Sequence, residues 1–251
     1  MELKAKHLSY SSISLFSRCP REWWLRYQYG ISSPPTPALS FGTAMHKTIQ
    51  GALLLNGDIL TAGRKFETNL VQACLKDSIR LGTNDKANLL KLGQDLLNEP
   101  IIQQMIGEIK VSGPEQVEKK VEFIVPGVDL PVIGYIDIID NNGHPYDIKT
   151  SAWDWDEARA DAEIQPDFYL TALDLEGDHR HAGDFSHLIL VKKPDNPTAY
   201  MMDTHRVGYQ ERVFALVQKT WDGIQSEAWE SKVVRSACAN CKLKGPCYYH
   251  D

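Results

Sequence analysis

Asp137 interrupts an otherwise apolar run, Gly134-Tyr-Ile-Asp-Ile-Ile139, and ten positions later Tyr146-Asp-Ile-Lys-Thr150 sets an acid and a base two residues apart. Both runs read as strands, in which residues i and i+2 share one face, roughly 7 Å apart. Asp147 and Lys149 therefore share a face, and the turn signal Asn141-Asn-Gly-His-Pro145 returns their strand beside Asp137. A carboxylate buried without a partner is expensive. Two carboxylates gathered at strand ends suit a hard divalent cation, Mg2+ or Mn2+, which takes oxygen ligands, and a neighbouring ammonium can polarise or orient an attacking water. By itself Asp-x-Lys reads as an ion pair on an edge strand, so the surrounding residues carry weight. His46, in Gly42-Thr-Ala-Met-His46, offers a nitrogen ligand, and Gln165 and Tyr169 stand four apart on one helical face just after the Asp-x-Lys strand.

A second group with metal-ligand chemistry lies near the C-terminus. Cys238-Ala-Asn-Cys241-Lys-Leu-Lys-Gly-Pro-Cys247 holds three of the five cysteines. Zinc or an iron–sulfur cluster held by thiolates usually takes four, and spacing does not separate the two. The N-terminus, Met-Glu-Leu-Lys-Ala-Lys-His-Leu, lacks the apolar stretch of a secretory signal, so a cytoplasmic, reducing setting is expected, where cysteines read as ligands or buried thiols. Cys74, in a helical context, is expected to be a small buried apolar residue.

The net charge of −6 does not mark a nucleic-acid binder, but the charge is unevenly spread. Positions 231–250 carry Lys232, Arg235, Lys242 and Lys244 and no acid, and Arg18, Arg21 and Arg26 stand against Glu22 alone. Such local fields bind phosphate even on an acidic protein, although a solvated basic tail has the same composition.

The elements that must position these residues follow from periodicity. With 251 residues and 43% apolar content, the chain suits one large domain, and no run reaches the roughly 18 apolar residues of a membrane span. A helix starts near Ser9–Ser12. Pro20 opens a second, through Trp23, Trp24 and Tyr27 to Gly30. Phe41, Met45, Ile49 and Leu53 mark an amphipathic helix with His46 beside its stripe, and residues 58–110 read as helical with breaks near Gly82 and Pro100. Strands are expected over 117–123, 130–140 and 146–150, then a helix over about 166–175, strands over 186–193 and 198–207, and a last helix through Val213–Ile224. The order gives an α/β (α+β) domain around a small mixed sheet.

Gly42…His46, Gly134-x-x-Asp137, Asp147-x-Lys149 and Gln165-x-x-x-Tyr169, in this order, resemble the PD-(D/E)XK nuclease superfamily in its RecB-like exonuclease branch. With Cys19 in Phe16-Ser-Arg-Cys-Pro-Arg-Glu-Trp and the cysteines at the far end, the chain is most similar to the iron–sulfur members, among them CRISPR-associated RecB-family exonucleases and the nuclease domains of helicase-nucleases. No Gly-x-x-x-x-Gly-Lys-[Ser/Thr] phosphate loop accompanies it, and Asp147 stands where many relatives have Glu.

The resemblance implies a restriction-endonuclease-like core spanning 1–251, a helical region over 38–112, and an iron–sulfur subdomain formed by 9–30 plus 231–251. It implies that Cys19, Cys238, Cys241 and Cys247 bind a [4Fe–4S] cluster. It implies that His46, Asp137, Asp147 and the Ile148 carbonyl bind Mg2+ or Mn2+, that Lys149 holds the nucleophilic water, and that Gln165 and Tyr169 position the site or the DNA backbone. Arg18, Arg21, Trp23, Arg26 and Tyr27 are expected to contact DNA, and Trp24 to pack the cluster-bearing segment. The implied activity is a DNA exonuclease on single strands or ends, with homo-oligomers and recombination or replication proteins as expected partners. A structure-selective endonuclease and a non-catalytic DNA-binding recombination module are the alternatives on the same fold.

Overall fold

The computed structural model describes residues 2–55, 57–193, 195–228, 238 and 241–249. Five strands form one mixed sheet in the order β1 (Val117–Phe123), β2 (Val132–Ile139), β3 (Pro145–Ser151), β4 (Asp184–Val191), β5 (Thr198–His205). Only the β3–β4 pair is parallel. A parallel pair needs a crossover, and here it is made by α8 (Glu157–Ala162) and α9 (Gln165–Leu175). The catalytic-looking strand is thus followed directly by the helix that carries Gln165 and Tyr169.

Helices cover the sheet on both sides, as expected of a restriction-endonuclease-like α/β fold. On one side α1 (Tyr10–Arg18), α2 (Pro20–Trp23), α9 and α10 (Tyr209–Gln225) pack Ile13, Phe16, Trp23, Leu170, Val213 and Val217 against Val121 and Ile136 of β1 and β2. On the other, α3 (Pro37–Leu54), α4 (Ile59–Arg64), α5 (Phe66–Lys76), α6 (Thr83–Leu97) and α7 (Pro100–Glu108) bury Phe41, Met45, Leu70, Leu96 and Ile102 around Ile138, Ile148, Leu188 and Leu190. Cys74 is buried in this second core. A last helix, α11 (Lys244–Tyr249), lies at the C-terminal end.

Local sequence explains several boundaries. Ser9 caps α1 through a reciprocal capping box with Ser12, and Pro20 and Pro37 begin α2 and α3, where a missing N–H costs nothing. The expected helix through Trp23, Trp24 and Tyr27 is corrected in detail. After one α-turn it widens into a π-helix, Trp24–Gln28, before Gly30 turns the chain with φ +73°. The π-turn accommodates a crowded aromatic group. Trp23 meets Phe16, Trp24 and Tyr27 at ring-centroid distances of 5.8, 5.5 and 5.3 Å.

Candidate active site

The site forms where β2 and β3 part. Their ladder pairs Ile139 with Pro145 and Ile138 with Tyr146 and extends no further. The next residues toward the opening are Asp137 and Asp147. There the Asp137 side chain takes over from the backbone: its Oδ2 accepts the Ile148 N–H at 2.7 Å. Asp137 Oδ1 lies 3.3 Å from His46 Nδ1, and Gln50, one turn further along α3, donates to the Asp137 carbonyl at 3.4 Å. Helix α3 reaches this point because Gly42 has no side chain. A Cβ there would sit 3.0 Å from Thr150 Oγ1.

Asp147 is 3% exposed. Lys149 Nζ lies 3.0 Å from its Oδ2, an ion contact outside hydrogen-bond alignment, and that oxygen is buried without a hydrogen bond. The ammonium instead donates to Gln165 Oε1, and Gln165 Nε2 donates to the Tyr169 hydroxyl at 2.6 Å. Gly134 admits the Tyr169 ring, which a Cβ would meet at 3.0 Å. The chain Asp147–Lys149–Gln165–Tyr169 is therefore continuous, and α9 fixes the ammonium from above the strand.

The electrostatics follow from this crowding. Burial acts against the ionised Asp147, yet the ammonium of Lys149 and the imidazole of His187 hold its carboxyl below the usual range. Burial likewise opposes the Lys149 charge, and Asp147, Glu163 and Asp137 outweigh it and raise the ammonium's pKa. His46 is raised too: burial pulls it down, but Asp137 and then Asp147 favour the cation. Burial, with the Asp147 charge next, raises the Tyr169 phenol and keeps it protonated.

Two neighbours escaped the sequence reading. Glu163 accepts from the Tyr10 hydroxyl and from the Gln165 N–H (3.4 Å), tying the start of α1 to the start of α9. His187, opposite Asp147 in the parallel ladder, is fully buried between Phe185 and Trp155, with ring centroids at 5.1 and 5.5 Å. Neither of its ring nitrogens has a hydrogen bond, and Nδ1 is 3.6 Å from Asp147 Oδ2. The available signal was an ionisable residue interrupting a buried strand, the same signal that marks Asp137.

The donor set of Asp137, Asp147 and His46 is oxygen-rich with one nitrogen, and Asp147 Oδ2 is buried with the Lys149 ammonium at 3.0 Å but without an aligned hydrogen bond. This fits a hard divalent cation. Among the described residues, no three His, Cys, Asp or Glu side chains are already gathered as a ligand set.

The N-terminal residues expected at DNA differ in exposure: Trp23 is 0% exposed, whereas the Arg18 side chain is 59% exposed. Trp23 is a correction: it is fully buried and offers no face to a base. Arg18 and Arg26 pair with Glu22 at 3.1 and 2.7 Å, Arg21 donates to the Cys247 carbonyl at 2.8 Å, and Tyr27 packs on Trp23. Cys19, Cys238, Cys241 and Cys247 are all half-buried. Burial raises the Cys19 thiol's pKa, and Cys247 is close enough for its charge to add to that. Of the basic C-terminal stretch, Lys232 and Arg235 lie outside the described residues.

No curated protein matches the chain. Among solved structures, a candidate exonuclease from Eubacterium rectale aligns with TM-score 0.63 and 13% identity over 98% of this chain and 88% of its own. A second, SSO0001, aligns at TM-score 0.40 and 14% identity over 88% and 77%, too loosely to carry an argument. The first shares the fold. The family model of the PD-(D/E)XK nuclease superfamily matches residues 7–248. That match takes in nearly the whole chain, and the chain belongs to the PD-(D/E)XK nuclease superfamily.

Proposed function

We propose that this nuclease is a Mg2+- or Mn2+-dependent DNA exonuclease that acts on single strands or DNA ends. The observation that carries the reading is the Lys149 ammonium, held between the Asp147 carboxylate and the Gln165 amide beside the parted strands. His46, Asp137, Asp147 and the Ile148 carbonyl would hold the cation, which when bound supplies positive charge to the phosphate oxygens and lowers the pKa of a water. Lys149 keeps its proton and stabilises negative charge developing on the phosphodiester. Gln165, braced by Tyr169, orients Lys149. In the hydrolysis, water oxygen forms a new bond to phosphorus, the bridging P–O bond breaks, and the leaving oxygen takes up a proton. The Eubacterium rectale neighbour, itself a candidate exonuclease, supports the exonuclease form of the reading.

Cys19, Cys238, Cys241 and Cys247 we assign to a [4Fe–4S] cluster, within a subdomain of residues 9–30 and 231–251, with zinc as the competing metal. The described residues do not close the four thiols into a ligand set. Support comes from the approach of the chain ends, through Arg21 to the Cys247 carbonyl and Cys19 within electrostatic reach of Cys247.

The test uses labelled linear and circular single-stranded DNA with Mn2+, Mg2+ or EDTA. Release of nucleotides from the linear strand, circles left intact, and no activity in EDTA are expected. Cut circles would turn the reading to an endonuclease, and activity in EDTA would remove the metal site. Iron and sulfide analysis of anaerobically purified protein tests the cluster, which stoichiometric zinc without iron would exclude.

A further inference from the structure

The two edges of the sheet are built differently. β1 carries four charged residues among its seven, Glu118, Lys119, Lys120 and Glu122, and Glu118 leaves strand geometry with φ +48°. Charges and local distortions of this kind keep an edge from pairing with other chains. β5, at the opposite edge, runs Thr-Ala-Tyr-Met-Met-Asp-Thr-His over eight residues, with no proline and no residue at positive φ. Its one carboxylate is Asp203. The ladder to β4 satisfies one side of its backbone. Among the described residues, no further backbone hydrogen bond reaches Thr198–His205, so the outward N–H and C=O groups form a template for another strand.

Both faces of β5 are covered while its edge stays open. Tyr200 and Met202 pack on the small core around Trp155 and Ile189, and Ala199 and Met201 on the core under α3–α7. On this second side, between the sheet and α7, lies a cavity of about 750 Å3. Glu108, Asp140, Asp184 and Asp203 line it, with Met105 and Met201 as apolar wall and no lysine or arginine. The Asp140 carboxylate accepts the Asn142 and His144 backbone N–H groups at 2.9 and 2.8 Å, and Asp203 accepts the Ser186 hydroxyl at 2.6 Å, all uncharged donors. Asp184 meets the His205 imidazole at 2.7 Å. Burial lowers the pKa of His144, the other imidazole of the lining, so it brings no charge at neutral pH. The lining is therefore short of positive charge.

We propose that the β5 edge docks an extended segment of a partner protein, which adds as a sixth strand and turns lysine or arginine side chains toward the acidic cavity. Charge complementarity selects this occupant. The four carboxylates repel a nucleic-acid strand, and a second copy of β5 would bring two acidic cavities together. Neighbouring strands lie ~4.7–4.9 Å apart, so a basic residue opposite Asp203 on the same face meets its carboxylate as a cross-strand pair. Alternation sends the intervening residues toward Tyr200 and Met202, where apolar side chains fit. Backbone pairing supplies affinity in such strand addition, and the alternating side chains supply specificity. The partner segment is thus a run that alternates basic and apolar residues.

The test uses the full chain and three probes: an end-capped (Lys-Val)4 peptide, a Lys4Val4 peptide of the same composition in two blocks, and spermidine. Binding is measured by titration, and hydrogen exchange of the β5 amides is followed by mass spectrometry. The alternating peptide should bind and slow exchange across Thr198–His205, whereas the block peptide and spermidine should leave that exchange unchanged. Asp203→Asn and Glu108→Gln should each weaken the alternating peptide about threefold, and the double variant about tenfold, the scale of lost cross-strand charge pairs. Binding without protection of β5, equal protection by the block peptide or spermidine, or unchanged affinity in the double variant overturns the proposal. Protection of β5 that rises with protein concentration in the absence of peptide would put a second copy of the chain on the edge and overturn it as well.

Discussion

Replacing Lys149 by Met removes the ammonium and keeps most of the side-chain volume. The consequence for Asp147 can be sized from its surroundings. Its Oδ2 is 3.0 Å from Nζ, and the side chains are 5% and 22% exposed. At an effective dielectric of about 20 the attraction is about 5.5 kcal/mol. Desolvation offsets much of this, and loss of one partner of a buried pair costs about 3–5 kcal/mol. For a chain of this length that is a fall in Tm of about 6–20 °C. Asp147→Asn should cost less, because the ammonium retains Gln165 and the charges of Glu163 and Asp137. The double variant Asp147→Asn/Lys149→Met buries no stranded charge and should regain about 2 kcal/mol over Lys149→Met alone. All three should cut at least about 10²-fold more slowly. Urea denaturation and single-strand cleavage on the four proteins complete the cycle. A Lys149→Met protein as stable as wild type, or a double variant destabilised by the sum of the singles, would refute a buried pair as the organising contact.

Three further outcomes are expected. His187→Phe keeps the packing against Phe185 and Trp155 but removes the nitrogen facing Asp147, so cleavage should fall about 10–100-fold with little change in Tm; a Mn2+ titration matching wild type counts against that role. Trp23→Ala should cost about 3–5 kcal/mol, as for other fully buried aromatics, whereas Arg18→Ala should change stability by less than about 0.5 kcal/mol; a stable Trp23→Ala protein that has lost DNA binding would contradict the burial. At Asp174, burial works to raise the carboxyl's pKa, but hydrogen bonds from Tyr209 and His179 hold it below its ordinary 3.8. A depressed carboxyl stabilises the fold above its unfolded pKa and loses that contribution as pH falls. The stability deficit of Tyr209→Phe should therefore be present at pH 7 and shrink below about pH 4 in urea titrations.

The sheet was legible because its strands alternate or run apolar between clear turn signals, and β1 falls where Val117, Val121 and Phe123 place it. The acids Asp137 and Asp147 stood out as charges in apolar runs, and the structure sets them side by side. The helical stretch was less legible. Its break at Lys65 carries no proline, so periodicity ran through it. Helix α8 was missed because it buries only Ala160. Trp23 misled because Arg18, Arg21 and Arg26 beside it suggested a nucleic-acid surface. Sequence gives the neighbours of a tryptophan along the chain, while burial depends on Phe16 and Trp24 folding over it. Glu163 was hidden for the converse reason: in an acid-rich loop, one carboxylate looks like the others until Tyr10 reaches it.

The hydrogen bond from Arg21 to the Cys247 carbonyl joins residues 226 positions apart. At a synthesis rate of about 5–20 residues per second, that partner follows Arg21 off the ribosome by about 11–45 s. Phe16, which lies against α10 at Gly223, waits nearly as long. Throughout that interval Ile13, Phe16 and Trp23 have no finished core to enter, while α3–α7 can already pack among themselves. The segment that holds Ile13, Phe16 and Trp23 thus precedes its α10 partners by about 200 residues of synthesis, and chaperone demand during synthesis should centre on that aromatic stretch.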